Sequence, residues 1–117
     1  MGAAEAVTAP LVRIAELEID PAQLDAYRAL LSEEIEASIA REPGVLMLYA
    51  LAVRDRPHHL RIFEVYADAA AYAAHIRSPH FLAYKTAAEG MVRSLRLIET
   101  DPVVLRSKAG GNRSGAA

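Results

Sequence analysis

Apolar residues recur along this chain at two spacings, about 2 residues in some stretches and about 3.6 in others, which predicts alternating strands and helices. Leu11 to Ile19 (LVRIAELEI) is apolar on both alternating faces apart from Arg13, Glu16 and Glu18, and reads as a first strand. Asp20-Pro21 then opens a helix in which Leu24, Tyr27, Leu31, Ile35 and Ile39 share one side while Asp25, Arg28, Glu33 and Glu36 turn away. It should stop at Pro43-Gly44, where proline bars continuation and glycine permits a left-handed turn. Val45 to Val53 (VLMLYALAV) carries no charge, with Val45, Met47, Tyr49, Leu51 and Val53 on one face and Leu46, Leu48, Ala50 and Ala52 on the other. After a polar turn, Arg54 to His58, the chain returns as a third strand from His59 to Tyr66.

Asp68 ends that strand and can cap a helix with Tyr72, His75 and Ile76 on one side. Ser78-Pro79 closes it and offers a new cap and a first-turn proline for a helix holding His80 and Tyr84. Beyond Gly90, Ser94 to Leu105 reads as a last strand, broken or edge-like at Pro102. The order strand, helix, strand, strand, helices, strand is the α+β, ferredoxin-like split βαβ plan, with an antiparallel sheet and helices on one face. A central strand that is apolar on both faces needs cover on both. Helices supply one side only, so a second copy joined sheet to sheet is expected to supply the other.

Composition narrows the class. At 117 residues the chain suits one domain, read as residues 11–106 behind a loose leader (1–10) and before a small, polar, mobile tail (107–117). Its net charge of −2 and lack of basic runs or glycine-rich phosphate loops argue against nucleic acid and nucleotides. With no cysteine, disulfides, thiolate metal sites and cysteine nucleophiles are excluded. No apolar run reaches membrane-span length and no signal pattern opens the chain, so the expectation is a cytoplasmic protein with no membrane partner.

Candidate chemistry collects between Phe63 and Tyr84. Glu64 lies mid-strand between Phe63 and Val65. There a carboxylate either pairs, with Arg61, Arg96 or Lys85, or has its pKa raised toward the range useful for proton transfer. His75, inward on a short helix, is a general-base candidate or a packing residue. His80 at a helix start reads as nearer the surface. His58 and His59 are adjacent on a strand, and opposite orientations should keep them from sharing an ion; no metal site is expected. Tyr49, Tyr66, Tyr72 and Tyr84 either line a pocket with their hydroxyls or pack in the core.

From Glu42-Pro43-Gly44 through the strand ending Tyr49 to Val53, then Phe63-Glu64-Val65-Tyr66, Ala74-His75 and Ser78-Pro79-His80-Phe81, the chain resembles the antibiotic biosynthesis monooxygenase-like family. The order of elements extends the resemblance over residues 11–105. It implies a ferredoxin-like protomer, a homodimeric α+β barrel joined through the sheet, and one pocket per subunit. Members include monooxygenases that oxidise quinols or phenolic aromatics with dioxygen and no cofactor. On that reading Glu64 and His75 are the base and its orienting partner, in either order. Tyr49 and Tyr66 would hold phenolic oxygens, Tyr72 would line the pocket, and His80 and Tyr84 would lie near its mouth. Many relatives carry tryptophan where Tyr66 stands. The family also contains an isomerase of a phosphorylated compound, for which Arg54, Arg77 or Lys85 could bind phosphate, and members without known activity. A proton-transfer isomerase and a non-catalytic binding dimer are the alternatives.

Overall fold

The computed structural model describes residues 9–108, so most of the expected leader and tail lies outside the described residues. Strand β1 (Leu11–Ile19) leads through a short turn of 3-10 helix at Pro21–Gln23 into helix α1 (Leu24–Arg41). A hairpin of β2 (Val45–Val53) and β3 (Arg56–Tyr66) follows, then α2 (Ala69–His75), α3 (Pro79–Ala88) and β4 (Val92–Glu99). The four strands form one sheet in the order β2-β3-β1-β4, every neighbour antiparallel. This is the α+β ferredoxin-like arrangement that the sequence pattern predicts, with α2 and α3 in place of a single second helix.

The helix ends follow from local chemistry. The Asp20 carboxylate accepts from the Ala22 N–H, Asp68 accepts from Ala71, and the Ser78 hydroxyl accepts from Phe81. Helix α1 departs from its expected stripe. Tyr27 and Leu31 are buried, but the next inward positions are Glu34 and Ser38, and Ile39 is 48% exposed. The helix runs on over the sheet at 3.6 residues per turn, so the inward side drifts off a strict four-residue row. A carboxylate and a hydroxyl thereby come under cover.

The last strand is shorter than expected. Its pairing with β1 ends at Arg13 opposite Glu99, and beyond it Pro102 has no N–H to offer. Val103 and Val104 stand 94% and 74% exposed. The third strand in turn begins earlier than expected, at Arg56, because Arg54 and Asp55 alone make the turn.

Strand β2 carries a bulge. Val45 pairs with Tyr66 and Met47 with Val65, leaving Leu46 as the extra residue. Val45 therefore joins Leu48 on the helix side, buried with Tyr66, whereas Met47, Tyr49 and Leu51 face the opposite way. This corrects the simple alternation read from the sequence.

Gly44 is also not the left-handed residue expected, since Gly90 (φ 88°) is the glycine with positive φ among the described residues. Gly44 is needed for space: a Cβ there would lie 2.5 Å from the Ala71 Cβ on α2. Gly44→Ala is expected to lower stability by about 1–3 kcal/mol through overpacking. A drop in chemical-denaturation midpoint reads it, and an unchanged midpoint would show that α2 yields freely.

The helix side of the sheet holds the core: Ala15, Leu17 and Ile19 from β1, Leu60 and Ile62 from β3, Tyr27 and Leu31 from α1, and Ala88 from α3. The other side carries Val12, Ile14, Phe63, Val65, Met47, Tyr49, Leu51 and Ile98, by the same strand register. No helix among the described residues covers it.

Candidate active site

Between helices and sheet lies a cavity of about 440 Å³. Its walls are mostly apolar, from Leu17, Leu31, Leu48, Ile62 and Phe81, with polar groups from Arg13, Glu34, Glu64, Tyr66, Tyr72, His75 and Tyr84. It reaches β4, where Leu95 and Leu97 on the helix side of the sheet remain 45% and 47% exposed. An apolar cleft with a few convergent polar groups is the usual form of a small-molecule site.

Glu64 faces this cavity because β3 alternates, putting Ile62, Glu64 and Tyr66 on the helix side. None of the basic residues proposed from sequence pairs with it. Instead the Tyr66 hydroxyl, two residues on, donates to Glu64 Oε1 at 2.8 Å. Burial pushes the Glu64 carboxyl above the ordinary carboxylate range; the Tyr66 hydrogen bond and the positive charges of His75 and Arg13 pull it back only in part. Burial and the neighbouring Glu64 charge push the Tyr66 phenol upward, which keeps it protonated as a donor.

His75 is 3% exposed and stacks between Tyr66 (ring centroids 5.4 Å apart) and Phe81 (5.0 Å). Its Nδ1 lies 2.9 Å from Glu42 Oε2, and its Nε2 lies 3.5 Å from Glu34 Oε2. Ser38 fixes Glu34 by donating from its hydroxyl at 2.7 Å. His80 meets the same Glu42 oxygen from α3 through its Nε2. Burial works to raise the Glu42 carboxyl, but the hydrogen bonds from His75 and His80 outweigh it and hold it below the ordinary range.

A carboxyl held low stabilises the fold above its unfolded pKa, and that contribution disappears as pH falls through the lower folded value. Glu42→Gln should cost about 3 kcal/mol at neutral pH, since it leaves a buried imidazole cluster short of its counter-charge. Urea unfolding of both proteins at pH 7 and at about pH 2–3 checks it: the difference should shrink once pH falls through the lowered Glu42 value.

Five expected site residues thus line one cavity: Glu64, Tyr66, Tyr72, His75 and Tyr84. Tyr84 is already engaged, its hydroxyl in a short contact with that of Tyr27. His80 lies behind Glu42, outside the cavity lining. Tyr49 is on the opposite side of the sheet, 51% exposed, because strand parity and the bulge separate it from Leu48. It does not line this cavity, where the resemblance would have it hold a phenolic oxygen. Arg13, Glu34 and Glu42 are the residues that sequence reasoning missed. Arg13 shares its strand face with Ala15, Leu17 and Ile19, and Glu34 falls three residues after Leu31 and seven after Tyr27. A charge inside an apolar stripe was the available signal in both cases.

Among the described residues, two groups of side chains bring possible metal-ligating atoms within 4.8 Å of one another: the buried Glu34 and His75 with the half-buried His80, and the half-buried Glu18, His58 and His59. The second corrects the expectation that His58 and His59 point apart. Near the hairpin, where the β2–β3 register slips, their rings meet edge-on with centroids 4.5 Å apart.

A model of the antibiotic biosynthesis monooxygenase family matches residues 10–87. The chain belongs to that family. Among solved structures, a Bacteroides thetaiotaomicron protein bearing the antibiotic biosynthesis monooxygenase name is 48% identical, with a TM-score of 0.82 over 85% of this chain and 96% of its own. A Mycobacterium tuberculosis protein is 27% identical, with a TM-score of 0.76 over 85% of this chain and 100% of its own. A longer Lactobacillus acidophilus protein, named as a monooxygenase, is 28% identical, with a TM-score of 0.74 over 75% of this chain and 42% of its own. No curated protein matches the chain. Membership in the antibiotic biosynthesis monooxygenase family supports a monooxygenase-like function in its general form.

Proposed function

We propose that the cavity oxidises a quinol-like or phenolic aromatic with dioxygen and without a cofactor. The observation that carries this reading is Glu64, a carboxyl raised by burial and set in a largely apolar cavity whose wall also carries Arg13 and His75. Glu64 takes a proton from the substrate hydroxyl, and Arg13 and His75 stabilise the resulting anion in a setting where charge is poorly screened. The anion is electron-rich and passes electrons to dioxygen; a ring carbon and one oxygen form a bond, giving a hydroperoxide. The O–O bond then breaks. One oxygen atom stays as a new carbonyl or hydroxyl oxygen and the other leaves as water, with the substrate supplying all the electrons.

Oxygen uptake on adding reduced menadione is the test, run against heat-denatured protein to subtract autoxidation. With labelled dioxygen, a hydroxylated quinone carrying one labelled atom is expected. Uptake that yields only menadione and hydrogen peroxide would contradict oxygen insertion. Solvent deuterium entering a carbonyl compound without oxygen uptake would point to proton-transfer isomerisation instead.

We further propose that two copies join through the bare sheet face. Tyr49 on β2 and Ile14 on β1 both pair with Phe63 on β3, which makes Phe63 the middle of an apolar face that no helix among the described residues covers.

A further inference from the structure

We infer that Arg13 recognises an anionic group on the substrate, so that the cavity takes a phenol or quinol bearing a carboxylate. This rests on the reading of the cavity as an oxidation site and narrows its substrate class.

Arg13 is 8% exposed, on the inward face of β1, and lines the cavity wall. Its guanidinium lies over the Tyr72 ring, Cζ 4.1 Å from the centroid, and Nη1 donates to the Tyr72 hydroxyl at 3.2 Å. Nη2 meets both oxygens of Glu99, at 3.1 Å and 3.0 Å. Nε is buried and has no partner. In a planar guanidinium the Nε–H and the Nη2 group form one edge, whose spacing matches the two oxygens of a carboxylate. Glu99 crowds both of its oxygens onto Nη2 and leaves the Nε half of that edge unmet. Its side chain is 75% exposed at the end of β4, so it can swing into water with little loss.

An incoming carboxylate would complete the edge that Glu99 uses by half. Tyr72 fixes the plane of the guanidinium from below, which keeps the edge oriented before the ligand arrives. Glu64 is the direct partner of Arg13 across the β1–β3 pair. An aromatic acid anchored at Arg13 therefore presents a neighbouring ring hydroxyl to the proposed base. The anchor also answers a problem of charge: Glu34 and Glu64 both line this cavity, and Arg13 and Lys85 are the arginine and lysine in its wall.

The test is calorimetric titration of the full chain with 1-hydroxy-2-naphthoate and with its uncharged carboxamide, which has the same shape. The acid should bind about tenfold more tightly than the amide, the range expected of a charge-assisted, two-point contact. Arg13→Lys, which keeps charge but loses the edge, should bring the two ligands to within about threefold. Glu99→Gln should tighten the acid and leave the amide unchanged. Equal binding of the two ligands by the parent, or a preference that survives Arg13→Lys, would overturn the assignment. Should Arg13→Lys fail to fold by circular dichroism, Glu99→Gln decides alone, and no tightening of the acid sinks it. Titration needs no turnover: acid preference without oxygen uptake keeps Arg13 as an anion site and removes the oxidation reading, and oxygen uptake without acid preference does the reverse.

Discussion

Replacing Glu64 by glutamine is expected to cut oxygen uptake on a quinol by about 10²-fold or more, the usual weight of a positioned general base. The substitution keeps shape and keeps an acceptor for the Tyr66 hydroxyl, which donates to Glu64 Oε1. The fold should therefore survive, and its stability should change in a telling direction. Burial raises the Glu64 carboxyl. A raised carboxyl adds stability below its unfolded pKa, and that contribution is lost as pH climbs through the folded value. Glutamine removes the buried charge, so Glu64→Gln should melt higher than the parent at neutral pH and no higher in acid. Loss of activity with gained stability would mark Glu64 as a group kept for chemistry. The parent should also show an activity limb rising with pH through a midpoint above the ordinary glutamate value of about 4.3. Retained uptake in Glu64→Gln would remove Glu64 from the mechanism even if the cavity is the site.

The second large effect concerns the bare sheet face. If two copies join there, the parent should sediment at twice the chain mass of 12.7 kDa. Phe63→Glu places a charge in the middle of that surface, opposite Tyr49 and Ile14. Burying it unpaired costs several kcal/mol, enough to weaken association by about 100-fold or more. Sedimentation velocity over a concentration series reads both proteins. A parent that is monomeric at micromolar concentration would show that something else covers the face, or nothing does.

Much of this architecture was legible in the sequence because its punctuation is local. Asp68 and Ser78 sit where their side chains accept from N–H groups three residues on, and such contacts can be read from spacing. Period-2 and period-3.6 patterns separated strands from helices for the same reason. Glu64 and His75 were found because a charge and an imidazole stood out in apolar runs. What escaped reading depends on distant pairing. The bulge at Leu46 exists only against β3, and the Glu42 contacts to His75 and His80 join residues 33 and 38 positions apart. Gly44 was assigned to backbone freedom when the reason is the neighbouring Ala71. Arg13 was passed over as one charge in a strand, although its odd-numbered neighbours Ala15, Leu17 and Ile19 are all buried.

The slack residue Leu46 bears on how this chain can vary in length. Between Met47 and Ala52, strand β2 is held in step with β3, so losing or gaining one residue there would turn the strand inside out. Leu48 would leave the cavity wall and Tyr49, with Leu51 behind it, would enter. Such a change can be absorbed at the corner before Met47, where one residue is already unpaired, or at the hairpin end, where the register slips between Ala52 and Val53. Insertions and deletions among relatives of this chain should therefore gather at that corner and at the hairpin, and be rare along the six residues between them.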